Sequence, residues 1–329
     1  MSNGEDFEDM VEFGEQRLGW LKTKLELPNG IPSHDTFNRV LQVVDSELFS
    51  KVLGKDGGHL IDHVEGKLIS FDGKKLKGFS PRSRGNKGLF ILSAWVGENR
   101  LCIGQKKVGE KSNEITAIPE LLQELEVGGS TISIDAIGCQ KEIAHLILEK
   151  EADYLLAVKG NQGDLLEEIS EAFNYSPIEE VSEKWEYDHG RYENRQCQIL
   201  NASVLRTDLQ AAWKGITTLV KIEATREIGS KKSIETRYYI TSHQEKTAAQ
   251  YNDLVRAHWG IENHLHWHLD VTFREDASRS RTGNAPENLN ILRKIALHRI
   301  TRDDSKLSKK KRRFRASMNL DYLEKILKL

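Results

Sequence analysis

Cysteine is scarce in this chain. The three that occur, Cys102, Cys139 and Cys197, are odd in number and far apart, which excludes a disulfide framework and a CxxC metal knuckle; they read as buried reduced thiols. Long apolar runs are also missing. Stretches such as LFILSAWV are strand-sized and too short to cross a bilayer as a helix, so no membrane partner is expected. The start, MSNGEDFEDM, is acidic and has neither the basic region nor the apolar stretch of a secretory signal. No charge sign dominates: 48 Lys plus Arg face 50 Asp plus Glu, a formal charge of -2. A basic binding surface must therefore be sought locally rather than in the average. Internal repeats and long low-complexity tracts are absent too. What remains is a soluble, cytoplasmic protein whose 329 residues allow one large domain or two ordinary ones.

The chain divides by pattern into four parts. Residues 1–60 read as a small helical module, broken at Pro28, Gly30 and Pro32, with Ser33 or Asp35 as the N-cap of a helix beginning in SHDTFNRV. Residues 61–182 open with three strands, KLISFD, LFILSAWV and RLCIGQKKV, as an antiparallel meander. A helix follows, with Pro119 in its first turn. Next come the strand STISID, a helix over about 140–150, the buried-type strand DYLLAV and a further helix, which is an α/β layout. Residues 183–245 return to short strands with turns at Gly190, Gly215 and Gly229, a β-rich insertion. Residues 246–329 are helical and carry the basic run KLSKKKRRFR.

Asp72 and Asp135 share a context. Each closes an apolar strand and precedes a turn, in SFDGK and SIDAIG, and an acid so placed projects from a rigid element into the crevice beside a sheet. An ordinary turn aspartate is the competing reading for either one alone.

The stretch HWGIENHLHWHLD, residues 258–270, raises a different question. As a helix it places His258, Glu262 and His266 on one face and His264 and His268 on another. A zinc protease helix needs H-E-x-x-H, whereas here the spacing is H-x-x-x-E-x-x-x-H. A zinc-dependent hydrolase is thus the weaker reading, and Trp259, Ile261, Leu265 and Leu269 are expected to pack. Asp72, Asp135 and Glu262 together offer hard oxygen ligands suited to Mg²⁺ or Mn²⁺. Two such ions, about 3.5–4 Å apart, assist in-line phosphoryl displacement, so the chemistry expected is phosphodiester cleavage.

The succession IPSHDTFNRV, DGKKLKG, KSNEITAIPELL, IDAIGCQKEIA, DYLLAVKGNQ, DHGRYENR and HWGIENHLHWHLDVTFREDASR, spread over nearly the whole chain, resembles the bacterial insertion-sequence transposases of the H-repeat-associated, ISAs-type group. The resemblance implies an RNase H-like catalytic core with a β-rich insertion before the last catalytic helix. It also implies Asp72, Asp135 and Glu262 as a metal-binding DDE triad. Partners follow from it as expectations: double-stranded DNA at insertion-sequence ends and at the target, and a homo-oligomer on DNA in a bacterial, nucleoid-associated setting. The wider group carries Tyr, Arg and Lys around its catalytic Glu, where this chain has Val255, His258 and Leu269. Members usually carry additional residues before DFEDMVEFGEQR, so a chain short of its first helix or two is expected.

Candidate DNA contacts follow from charge. Lys74, Lys75, Lys77, Arg82, Arg84 and Lys87 crowd a Gly- and Ser-containing loop after Asp72, and cations at that density suit phosphate contacts. Lys159 sits at a strand end before a Gly-rich helix start that could hold a phosphate; no Gly-Lys-Ser/Thr follows, so this is not a P-loop. Lys310, Lys311, Arg312 and Arg313 form the basic run. His258, Asn263 and His266 are candidates to orient the acids. The alternative is a catalytically inactive remnant that only binds DNA.

Overall fold

The computed structural model describes residues 1–58, 63–79, 88–109, 113–188 and 190–328. Four helices come first: α1 (Phe7–Gln16), α2 (Leu18–Leu21), α3 (His34–Val43) and α4 (Ser46–Gly58). Of the two candidate caps, Ser33 is the one used, its hydroxyl accepting from the Thr36 amide at 3.3 Å. These helices lean on the far end of the chain. Trp20 Nε1 donates to Glu324 Oε1 at 2.6 Å, and Asn288 Nδ2 donates to the carbonyls of Leu41 and Val44.

A single nine-stranded sheet follows, built from β1 (Leu68–Leu76), β2 (Leu89–Val96), β3 (Leu101–Val108), β4 (Thr131–Ile134), β5 (Asp153–Val158), β6 (Glu180–Asp188), β7 (Arg191–Asn201), β8 (Thr218–Ile228) and β9 (Lys231–Thr241). Its order is β3-β2-β1-β4-β5-β9-β8-β7-β6. β1, β4 and β5 run parallel at its centre. They are covered on both faces, so all four residues of TISI are buried, its Thr and Ser included, and YLLAV is a continuous apolar run rather than an alternating one.

One face carries α5 (Glu114–Glu124), α6 (Lys141–Glu149) and α7 (Gly163–Tyr175), whose Ile118, Leu121, Ile143, Ile147, Leu165 and Ile169 share a core with Phe71, Ile132 and Leu156. The short α8 (Thr207–Ala212) lies between β7 and β8. The opposite face is closed by α9 (Ala248–His258), α10 (Trp267–Val271) and α11 (Ala285–Thr301), packed on Trp95, Leu155 and Val220. α12 (Lys309–Met318) and α13 (Leu320–Leu327) finish the chain. Each fully buried Leu or Ile contributes roughly 1.5–3 kcal/mol, so the two face cores hold the layers together. Among the described residues no helix is long and apolar enough to cross a membrane. Cys139 and Cys197 are buried free thiols, pushed up to about 12 by burial, and Cys102 is partly exposed.

Four sequence expectations change. β1 does not stop at Asp72 but continues to Leu76, because the antiparallel partner β2 keeps supplying backbone bonds as far as Leu76↔Leu89. Pro119 lies inside α5, which begins five residues earlier at Glu114 and buries Ala117 and Ile118 ahead of the leucines. The strands after residue 180 are long, nine to eleven residues each. They extend the central sheet through β9 on β5, with Gly190 and Gly229 at positive φ in the two hairpin turns. Finally, Ile261, Leu265 and Leu269 are core residues, but Trp259 stays half-exposed with the Arg237 guanidinium 4.4 Å over its ring.

Candidate active site

The parallel ladder between β1 and β4 ends at Phe71↔Ile134. Asp72 and Asp135 are therefore the next residues on two adjacent parallel strands, held at the carboxyl edge of the sheet, where crevices open in α/β folds. Both side chains are half-buried. Beyond its strand, Asp135 opens a 3₁₀ turn over Ala136–Gly138.

The third acid comes from a helix with a fault in it. α9 ends at His258, and residues Glu262–His266 form a π-helical turn in which the Trp267 amide donates to the Glu262 carbonyl, five residues back. Such wide turns inside helices concentrate at functional sites. Ile261 and Leu265 anchor the turn in the core, which leaves Glu262 exposed toward the crevice.

Two histidines link helix and sheet. His266 Nδ1 lies 3.0 Å from Glu262 Oε2 and 3.3 Å from Asp72 Oδ2. Burial alone would lower the pKa of His266, but its hydrogen bonds to Asp72 and Glu262 outweigh this and raise it. In return, the His266 hydrogen bond holds Glu262 below the usual carboxylate range. His258 makes the matching bridge. Its Nε2 is 3.5 Å from Asp135 Oδ1, and its Nδ1 is 2.8 Å from the buried Ser133 Oγ, which itself reaches Ser70 Oγ at 3.2 Å. The His258 contact is the main cause that lowers the Asp135 pKa.

Among the described residues, the group whose ligand atoms all lie within 4.8 Å of one another is Asp72, Glu262 and His266. Asp135 is not in that group; it is held on the other histidine. That cluster takes one histidine, His266, from the histidine-rich helix; His268 instead meets Thr272 Oγ1 at 2.9 Å and Lys309 Nζ at 2.9 Å.

A fourth acid, which the sequence did not single out, sits at the same place. Glu114, in the first turn of α5, reaches over Gly73 so closely that a Cβ there would stand 2.2 Å from its Oε1. Burial raises the Glu114 pKa, and the charges of Asp72 and Asp135 raise it further. Negative charge thus converges here beyond what the two histidines offset, and the donors are hard carboxylate oxygens, a combination that fits a divalent cation. The signal in the sequence was Gly73 directly after Asp72, together with an acid opening the helix of KSNEITAIPELL.

The basic candidates separate. Lys74 is inside the protein, donating to Asp270 Oδ1 (2.5 Å) and Glu275 Oε2 (2.7 Å). Arg313 is buried, donating to the Thr272 and Gly4 carbonyls and stacked over Phe273. Arg312 donates to the carbonyls of Leu307, Ile300, Thr301 and Ser305. Lys75, Lys77, Lys159, Lys310 and Lys311 are exposed, Lys77 paired with Asp276 at 2.9 Å and Lys159 lining a cavity with Asp135. Asn263 faces a second cavity, away from the carboxylates. Arg82, Arg84 and Lys87 lie outside the described residues.

Comparison with known proteins adds the following. The family described as "Transposase DDE domain" matches residues 62–298, and "DDE_Tnp_1-associated" matches residues 1–55. "Putative transposase YncI" of Escherichia coli O157:H7 is 38% identical over 99% of this chain and 86% of its own length. "H repeat-associated putative transposase YhhI" of Escherichia coli K12 is 37% identical over 99% of this chain and 89% of its own. Among solved structures, a piggyBac transposase synaptic complex with hairpin DNA is similar at a TM-score of 0.43 and 12% identity, covering 98% of this chain and 73% of that one. A likeness of that size carries no inference about this chain.

Proposed function

The chain belongs to the transposase family defined by the DDE domain, and from that premise we propose that it binds the ends of an insertion sequence and catalyses metal-dependent DNA cleavage and strand transfer, with Asp72, Asp135 and Glu262 as its catalytic acids. The observation that carries this reading is the meeting of two strand acids, one residue past their last parallel partners, with a helix acid bridged to Asp72 through His266. The strand order β3-β2-β1-β4-β5 supports an RNase H-like core, with β6 to β9 as the β-rich insertion before the last catalytic helix.

Asp72, Asp135 and Glu262 would hold Mg²⁺ or Mn²⁺, two ions in this reading, Asp72 and Asp135 holding both and Glu262 completing one. Bound there, the metal supplies activation of the attacking oxygen and stabilisation of the leaving oxygen. The protein's own groups set the geometry: His266 fixes the separation of Asp72 and Glu262, and His258, oriented by Ser133, fixes Asp135. Hydrolysis at an element end adds water across one phosphodiester and leaves a 3′-hydroxyl. That hydroxyl then displaces a 3′-oxygen from a target phosphate, one ester exchanged for another, so no external energy is consumed. Exposed Lys75, Lys77, Lys159, Lys310 and Lys311, with Arg82, Arg84 and Lys87, are offered to phosphates of double-stranded DNA. Joining two ends calls for a homo-oligomer on the DNA.

The test is excision and joining in vitro from a plasmid carrying the gene's flanking DNA, with Mg²⁺, comparing wild type and Asp135→Ala. Cleavage at defined ends that is lost in the variant is the expected result. Specific binding without cleavage by the wild type would point to a DNA-binding remnant, and cleavage that survives the substitution would mean other carboxylates act.

A further inference from the structure

On the strands β7, β8 and β9 lies a cavity of about 230 Å³ walled by Arg191, Arg195, Arg226, Arg237 and Arg256 with only two glutamates, Glu193 and Glu235. It is smaller than the roughly 300 Å³ floor of ordinary small-molecule pockets, and five guanidiniums stand among its few apolar side chains, Ile222, Ala224, Val255 and Trp259. Its charge points to an anion.

The pocket is built around one buried acid. Glu193, 6% exposed, lies directly across the ladder from Arg226, and Arg191 and Arg195 flank it on the same face of β7. Its carboxylate is 3.4 Å from Arg191 Nη2, 3.6 Å from Arg195 Nη1, 3.6 Å from Arg226 Nη2 and 3.9 Å from Arg256 Nη1. These are charge contacts rather than close hydrogen bonds, so the guanidiniums are gathered while their N–H groups are not used up. Arg195 makes this explicit. It is 5% exposed, its Nε is held by Asn252 Oδ1 at 3.2 Å and its Nη2 by Glu186 Oε1 at 3.1 Å, yet its buried Nη1 has no hydrogen-bond partner. A buried charged donor left without an acceptor is costly, and a phosphate oxygen in the pocket would remove that cost.

The pocket also borders the cavity that Asp135 lines. A neighbouring cavity of about 370 Å³, walled by Asp135 and Lys159, shares Glu235, Arg237 and Trp259 with it. The two cavities therefore adjoin at these three side chains, which stand between the second strand acid and the other arginines.

We propose that this pocket is a phosphate site for the DNA strand that leads away from the scissile position at Asp135, with Glu193 as the positioning residue that gathers its arginines. The assignment rests on the transposase reading above and adds to it the path of the bound strand.

The experiment measures binding of two fluorescein-labelled duplexes, one of the gene's flanking DNA and one of random sequence, across a salt series. The wild type is compared with Arg226→Gln/Arg256→Gln, two half-exposed rim positions whose change spares the core. Removing one cation–phosphate pairing lowers the slope of log affinity against log salt by about 0.9, so the double variant should show one to two such steps. Methylphosphonate at single phosphates of the flanking duplex should weaken the wild type at one position and leave the variant indifferent there. Glu193→Gln is the second variant, checked for folding by circular dichroism: a positioned cage predicts weaker binding although a negative charge is removed, and tighter binding would overturn the role of Glu193. Unchanged slope and affinity in the rim variant, with a wild type that binds and cleaves, would overturn the pocket alone. Absence of any DNA binding by the wild type would overturn the transposase reading and the pocket together.

Discussion

Glu114 is packed onto Gly73 so closely that a methyl group on residue 73 would sit 2.2 Å from a carboxylate oxygen. The contact places a fourth acid against Asp72 and Asp135, whose charges add to burial in raising its pKa. Gly73→Ala is therefore expected to move Glu114 and not the strand, since the atom met first is the free end of a flexible side chain. Stability should change by about 1 kcal/mol or less, while Mn²⁺ binding followed by electron paramagnetic resonance should weaken in this variant and in Glu114→Gln alike. Normal Mn²⁺ binding in both variants would remove Glu114 from the site.

Ser133 is 2% exposed and holds His258 Nδ1 at 2.8 Å, so it decides which ring nitrogen faces Asp135. Ser133→Ala is expected to lower cleavage by about 10- to 100-fold, the usual cost of removing an outer partner at a metal site. Ser133→Thr, which keeps the hydroxyl, should restore most of it. An alanine variant with wild-type rates and an unchanged pH profile would show that His258 needs no such orientation.

Lys74 illustrates how a cation near an active site can be structural. Glu275, 2% exposed, accepts from Lys74 at 2.7 Å and from Asn290 Nδ2 at 2.9 Å, and stands 3.6 Å from Arg293. Glu275→Ala strips buried Arg293 of that counter-charge and leaves Lys74 with Asp270 alone, and should cost about 3–5 kcal/mol in urea unfolding. A loss under about 1 kcal/mol would mean the network is solvated. Lys74→Met should likewise act on stability and leave the salt dependence of DNA binding intact.

Asp303 ties the C-terminal helices together. Burial would raise its pKa, but hydrogen bonds from Ser305, Tyr322 and Lys325 hold it at about 2, against 3.8 for the free side chain. A carboxylate lowered on folding stabilises the protein fully above the unfolded pKa, and that contribution fades as pH falls through the folded one. The stability gap between wild type and Asp303→Asn should be about 1–2 kcal/mol above pH 4, shrinking between pH 4 and pH 2. A gap that stays constant across that window would show that the asparagine change acts through packing.

Elements that depend on near neighbours in the chain were legible without any coordinates. YLLAV, apolar without alternation, reads as a buried-type strand and is covered on both faces, and Asp135 at the end of STISID was readable as a crevice acid. The spacing of His258, Glu262 and His266 placed them on one helix face, and that face does meet the strand acids. Ser33 as a cap and Gly190 and Gly229 as turns were readable for the same reason, since each depends on its immediate neighbours.

Whatever depends on pairing across long separations had to wait for the folded chain. β1 runs on past Asp72 because β2 continues beside it. Glu114 reaches the acids because α5 packs where residue 73 has no side chain. Whether a cation is offered to solvent or held by an acid far along the chain is invisible in a charge run, and so Lys74 and Arg313 turned inward while the arginines of β7, β8 and α9 assembled around Glu193. From Arg191 to Arg256, those side chains become neighbours only through strand register and the packing of α9 on the sheet.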